Sequence, residues 1–123
     1  MKHCIKVLNK INSLASDTDT VTWLRNNLKN TVNCRDRAGH SPLTMAGSQG
    51  KEETVFYLIR MGARIDYRQP NSFNAFSAAL YNGHFELAKR LFYTYNNIFS
   101  IDATLQAIVH PFTLQIFIDM LTL

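Results

Sequence analysis

The stretch that decides the fold is Asp36-Arg37-Ala38-Gly39-His40-Ser41-Pro42-Leu43-Thr44-Met45-Ala46, followed by Gly50, Val55, Leu58-Ile59 and Gly62-Ala63. Its grammar is local. Ser41-Pro42 opens a short apolar run, with Pro42 at a first helical position, where a missing N–H costs nothing. Leu43, Ala46 and Gly47 give one small, close-packing helix face, and Gly50 supplies a C-terminal stop. Val55, Leu58 and Ile59 recur at helical spacing on a second helix, which Gly62 ends. Ala63 to Asp66 reads as an extended segment leading to a turn. The unit is therefore helix, turn, helix, projecting loop.

The unit recurs. Arg35, Leu43, Ala46, Gly50 and Leu58 fall on Arg68, Phe76, Ala79, Gly83 and Leu91, each pair one 33-residue period apart. The quoted stretch resembles an ankyrin repeat, whose pattern D-x-x-G-x-T-P-L-H-x-A, then G-H, V, L-L and G-A, has the same period. Ser41, Thr44, Gly47 and Lys51 depart from it, standing for Thr, His, Ala and His. Thr44 lacks the imidazole that usually bridges neighbouring loops. The copy at 69–99 is weaker: Gln69, Ser72, Asn74 and Ala75 replace Asp, Gly, Thr and Pro, while Ala79, Gly83-His84, Leu87, Ala88 and Leu91 hold. The resemblance implies an all-α ankyrin-repeat solenoid of stacked helix-turn-helix units with projecting loops.

The flanks read as degenerate terminal copies. Ile5, Leu8, Ile11, Leu14 and Ala15 are placed on one helix, and Asp17 or Asp19 caps the next, through Val21, Trp23, Leu24 and Leu28. Leu105 to Val109 and Leu114 to Leu121 are placed on a last pair broken at Pro111. One domain over 1–123 is expected, with a degenerate repeat at about 1–33, repeats at 34–66 and 67–99, and a partial repeat at 100–123. At least three such units are needed for a stable stack.

The 123 residues are 46% apolar and 18% charged, an ordinary globular balance that excludes disordered, collagenous and disulfide-scaffold classes. The net charge of +4 is too small to imply nucleic acid. Its distribution is uneven: all 13 Lys and Arg lie before residue 91, and the last third carries only Asp102 and Asp119. The apolar residues Ile108, Val109, Leu114, Ile116, Phe117, Ile118, Met120 and Leu121 crowd that end. They are too many for one buried helix face, so self-association or further chain is expected to cover the remainder. Cys4 and Cys34 have no metal-ligand spacing and are expected as two free thiols. The basic N-terminus lacks the apolar core of a signal peptide, and no run is long enough to span a bilayer. A cytoplasmic location follows by elimination. The Asn-, Ile-, Lys- and Phe-rich composition fits an AT-rich genome, such as that of an intracellular bacterium or a virus, for which the location would be a host cytosol.

Chemistry finds no foothold. His3, His40, His84 and His110 are scattered, without i, i+4 spacing. Gly47 to Lys51 fails as a phosphate loop, because Met45 and Glu52 stand where Gly and Ser or Thr are required. A calcium loop from Asp17 fails at Thr22 and Leu28, where Gly and Glu are required. No catalytic residue, metal or cofactor is expected, and the chain is not expected to be an enzyme.

The resemblance implies a protein-interaction module that uses its loop tips and the concave face of its first helices. Carried residue by residue onto this chain, the partner-binding candidates are Arg37, His40, Met45, Gln49, Asn71, Phe73, Tyr81 and Asn82, with Ala38, Ser48 and Ala78 beside them; Arg35 and Arg68, one period apart and so expected on adjacent loops, join them. Trp23, Phe56, Tyr57, Phe92, Tyr93 and Phe99 fall on or beside second-helix positions and are expected to pack between repeats. Arg35, Arg37, Arg64 and Arg68 are expected to form a positive ridge for a partner with an acidic patch, unless Asp36 and Asp66 neutralise them. Nucleic acid is not expected as a partner. The alternative function is an N-terminal targeting or substrate-recruiting module of a larger enzyme or host-directed effector, with its chemistry beyond Leu123.

Overall fold

A computed structural model describes residues 2–70, 73–95, 98, 115, 117–119 and 122. Among the described residues six helices have defined bounds, in order α1 (Lys2–Ser13), α2 (Asp17–Asn27), α3 (Pro42–Gln49), α4 (Glu52–Arg60), α5 (Ala75–Tyr81) and α6 (Phe85–Thr94), and residues 115, 117–119 and 122 are helical as well. No strand occurs among the described residues. The helices pair as α1–α2, α3–α4 and α5–α6. The first helices stand in a row, with α3 packed between α1 and α5, and α2 lies against α4. The all-α stack expected from the 33-residue period is the architecture found.

Local signals start and stop the first helices. Ser41 caps α3, its hydroxyl accepting from the Thr44 N–H at 3.2 Å, with Pro42 behind it. Gly50 ends α3 in the left-handed region at φ 70°. The weaker copy keeps the cap by other means. Asn74 and Ser77 form a reciprocal capping box at the start of α5, with side chain-to-backbone bonds of 2.8 and 2.9 Å.

Small residues set the spacing of the row. Ala46, Gly47, Ala75 and Ala79 are buried where α3 meets α5. A Cβ on Gly47 would stand 2.7 Å from the Ala75 carbonyl oxygen, inside contact distance. Glycine at this position thus lets the two backbones approach, which explains its departure from the family's alanine. Behind the row, Val7, Ile11, Leu24, Val55, Leu58, Phe76, Leu80 and Leu91 form a continuous core. Phe117 closes it at the C-terminal end, 5.8 Å from the Phe76 ring and 5.6 Å from the Phe92 ring. Ile118 beside it is exposed. The other apolar residues singled out near the C-terminus lie outside the described residues, as does Phe99.

The polar helix ends are satisfied across repeats. Asp17 or Asp19 is expected from sequence to cap α2, but Ser16 caps it, accepting from the Asp19 N–H at 3.2 Å. Asp17 instead caps α4, whose own N-cap Lys51 makes no side-chain cap bond. Its carboxylate accepts from the N–H groups of Glu53 and Thr54 at 2.7 and 2.9 Å and from the Thr54 hydroxyl at 2.6 Å. Lys51 reaches the other way. Its buried ammonium donates to the carbonyls of Ile11 and Leu14 at the end of α1, and to the Thr20 hydroxyl at 3.0 Å. His84 makes the equivalent link one period on, with Nε2 3.0 Å from the Ser48 carbonyl at the end of α3. Lysine therefore takes over the role of the family's histidine, with a longer reach. Burial lowers its pKa, and the negative charge of Asp17 opposes that shift.

Two N-terminal expectations are corrected. Helix α1 ends at Ser13, before Leu14 and Ala15, and it buries Cys4, Val7, Leu8 and Ile11 while Ile5 is 45% exposed. The cysteines are not free thiols: Cys4 on α1 and Cys34 in the loop after α2 are disulfide-bonded, with Cα atoms 5.8 Å apart. Thirty residues separate them in sequence, and only the folding of α2 back along α1 brings them together. The cytoplasmic expectation loses the support it drew from reduced thiols.

Asp17→Ala and Lys51→Met each leave buried or half-buried backbone groups unpartnered. Each is expected to lower stability by about 1.5–3 kcal/mol, read as a drop in urea midpoint without loss of helix at zero denaturant. Reducing the disulfide is expected to lower unfolding stability by roughly 3–4 kcal/mol, the loop-closure entropy of a ring of this size. Thermal melts with and without a thiol reductant, and of Cys34→Ser, check this.

Candidate functional site

Two loops stack beside the row of first helices. In each, the backbone closes a turn at the same point of the period: the Asp36 N–H donates to the His40 carbonyl at 3.2 Å, and the Gln69 N–H to the Phe73 carbonyl at 2.8 Å. Gly39 is required on two counts. Its φ is 90°, and any Cβ would collide with the Pro70 ring. The Tyr67 hydroxyl donates to the Gly39 carbonyl at 2.5 Å and joins the loops where Thr44 cannot. Thr44 instead bonds the Ser41 hydroxyl at 2.7 Å.

Asp36 holds the first loop's tip. Its carboxylate accepts from the His40 N–H at 2.9 Å and lies 2.9 Å from Nδ1 of the same residue. Burial alone would raise its pKa, but the hydrogen bonds and charge of His40 outweigh this and hold it below 3.8. Asp36 thus pairs with His40 rather than with an arginine.

Between the loops and helices α3 and α5 lies a groove of about 240 Å³. It brings together five of the candidate residues: His40, Met45, Phe73, Tyr81 and Asn82. Phe73 and Tyr81 meet edge to face with centroids 5.5 Å apart, and Tyr81 is 48% exposed. Asn82 is oriented by bonds from its amide to the Ser48 hydroxyl at 3.2 Å and the Ala78 carbonyl at 2.7 Å. Thr44 and Gln69 also line the groove and were missed by sequence reading. Gln69 had a signal, since it stands one period after Asp36 at the start of a loop turn.

The remaining candidates lie elsewhere. Gln49 is exposed at the end of α3 and donates to Asn12 Oδ1 at 2.7 Å. Asn71 lies outside the described residues. Arg35 and Arg68 meet in a second cleft, between the loops, together with Arg64 but without Arg37. Arg64 pairs with Asp66 at 3.6 Å, so one of the two neutralising contacts considered from sequence exists and the other does not. Of the expected packing aromatics, Tyr57 and Phe92 are buried, Trp23 and Phe56 partly so, and Tyr93 is 51% exposed.

Repeated helix pairs, loops stacked to one side and a groove across two repeats define a solenoid scaffold that presents a surface rather than an enclosed pocket. A family model for ankyrin repeats, in three copies, matches residues 11–103, about three quarters of the chain. The chain belongs to the ankyrin-repeat family. Comparison with curated proteins found no match to the sequence. Ankyrin repeats are generally protein–protein interaction modules and typically non-catalytic. No helix among the described residues is long and apolar enough to cross a membrane.

Because the folded pKa of Asp36 lies below 3.8, the unfolded chain binds more protons as the pH falls. The contribution of Asp36 is therefore present above pH 3.8 and is lost as the pH drops below it. Denaturation midpoints measured across the acid range are expected to fall less steeply for Asp36→Asn than for the parent chain.

Proposed function

We propose that this chain is a non-catalytic protein-interaction module that holds its partner in the groove between the loops and helices α3 and α5. The observation that carries the reading is the composition of that groove. It combines aromatic surface at exposed Tyr81 and half-buried Phe73, the adaptable thioether of Met45, and fixed polar groups at His40 and Asn82. Interfaces draw their binding energy from such aromatic anchors, surrounded by polar contacts that set orientation. Gln49 flanks the groove at the end of α3, and Arg35, Arg37 and Arg68 extend the surface along the loops, with Asn71, outside the described residues, kept as a candidate from sequence. The stack supplies rigidity, so little ordering entropy opposes binding.

The test is affinity capture by the full chain, with the captured partner then titrated against variants. Tyr81→Ala and Met45→Ala alter exposed or half-buried side chains and are expected to leave helix content unchanged. Each is expected to weaken partner binding about tenfold, or about 1.4 kcal/mol. A partner bound equally by the parent and both variants would move the interface away from this groove.

A further inference from the structure

The second helices carry a groove of their own, which shares no lining residue with the partner groove. It lies between α2 and α4 and encloses about 510 Å³. Asp17, Val21 and Arg25 line it from α2, and Glu52, Phe56 and Arg60 from α4. Each set is spaced i, i+4, i+8 and so forms one stripe along its helix. The charges of a stripe stand eight residues apart, roughly 12 Å at the rise of an α-helix.

The two stripes run the same way. Asp17 accepts from the Glu53 and Thr54 N–H groups, which sets the start of α2 beside the start of α4. The groove reaches Arg25 and Arg60 in the last turns of both helices. Helix dipoles favour acid at the start of a helix and base at its end, and parallel packing of two such helices turns that preference into a surface with two poles. One end of the groove is acidic, the middle apolar and the other end basic. Arg25 and Arg60 are exposed, and among the described residues neither forms an ion pair. Glu53 is exposed and extends the acidic pole. Arg90 of α6 pairs with Glu52 and lies 4.4 Å from the centre of the Phe56 ring, an exposed contact that solvent weakens.

We propose that this bipolar groove is a self-association surface, and that its occupant is the same groove of a second copy of the chain. A surface with opposite poles complements itself when turned end for end. A two-fold axis crossing the groove at the level of Val21 and Phe56 sets Arg25 against Asp17 of the second copy and Arg60 against Glu53 of the second copy, and symmetry supplies the reverse pairs. A parallel arrangement sets like charges together and is disfavoured. The apolar centre is small, since Val21 is 8% exposed and Arg90 lies over Phe56, so charge supplies most of the attraction. Such a dimer is weak, salt-sensitive and of the transient class. It uses none of the partner groove's residues, so one dimer offers two partner grooves. The proposal does not depend on what those grooves bind.

The test is sedimentation velocity of the full chain from about 10 µM to about 1 mM, at about 50 and about 500 mM salt. At the lower salt the weight-average mass is expected to rise from 14.1 kDa towards twice that value. At the higher salt association is expected to weaken about fivefold or more. Arg25→Glu with Arg60→Glu makes both poles acidic, and Glu52→Arg with Glu53→Arg reverses the acidic pole on α4. Each double variant alone is expected to associate about tenfold more weakly, and an equimolar mixture of the two to regain most of the loss, because acidic poles then meet basic ones. Lys2→Glu with Lys6→Glu makes the same change of charge on the exposed face of α1 and is expected to alter association less than about twofold. Circular dichroism is expected to show unchanged helix content throughout. A chain that stays monomeric at about 1 mM and low salt overturns the proposal, and so does mass that grows past the dimer, the mark of an open head-to-tail contact. Association that survives the arginine variant, or that weakens equally in the lysine variant, overturns it as well.

Discussion

The contact between α3 and α5 sets backbone against backbone. At Gly47 the two backbones approach so nearly that one methyl group would stand 2.7 Å from the Ala75 carbonyl oxygen. Ala46, Ala75 and Ala79 keep the rest of the contact small. With so little side-chain bulk between them, the first helices stand in a tight row, and the larger apolar residues of both helices of each pair fill the space behind. No single pair could bury its apolar face alone, so the stack is the smallest stable object.

Tight stacking has a polar consequence. The ends of short helices hold backbone groups without intrahelical partners, and in a packed row water reaches few of them. The chain answers with side chains that cross from one repeat to the next. Asp17 serves the start of α4, Lys51 the end of α1, and His84 the end of α3. Each link exists only when neighbouring repeats are in register, so hydrogen bonding and apolar packing report the same geometry. The loops inherit that register. Gly39 against Pro70 and Tyr67 on the Gly39 carbonyl stack them so that one groove and one cleft run across both.

The two central repeats could be read from the sequence because their signals are short-range: a hydroxyl before a proline, an alanine face, glycine stops, and apolar spacing that recurs after 33 residues. Five candidate residues converge on the groove for the same reason, since equivalent positions in a repeat have equivalent orientations. The first repeat was harder. Its helix is amphipathic, but Ile5 falls on the exposed side and Cys4 on the buried one, and apolar spacing alone did not set that phase. Asp17 carries the right chemistry for a cap, yet the helix it caps begins 35 residues later. Asp36 was weighed against arginines close in sequence, whereas its loop turns back to place His40 against it.

By itself, then, the sequence determined the repeat, its period, the all-helical class and five of the residues that line the groove. These depend on local backbone preference and on hydrophobic periodicity, both of which act within a few residues. The tertiary structure alone decided what meets across repeats: the Cys4–Cys34 bond, the buried ammonium of Lys51, the loop junction at Tyr67, and the assembly of Arg35, Arg64 and Arg68 in one cleft apart from Arg37. Such pairings join groups about thirty or more residues apart. Their partners are fixed by how far the first helices can close on one another, a distance that no local pattern encodes.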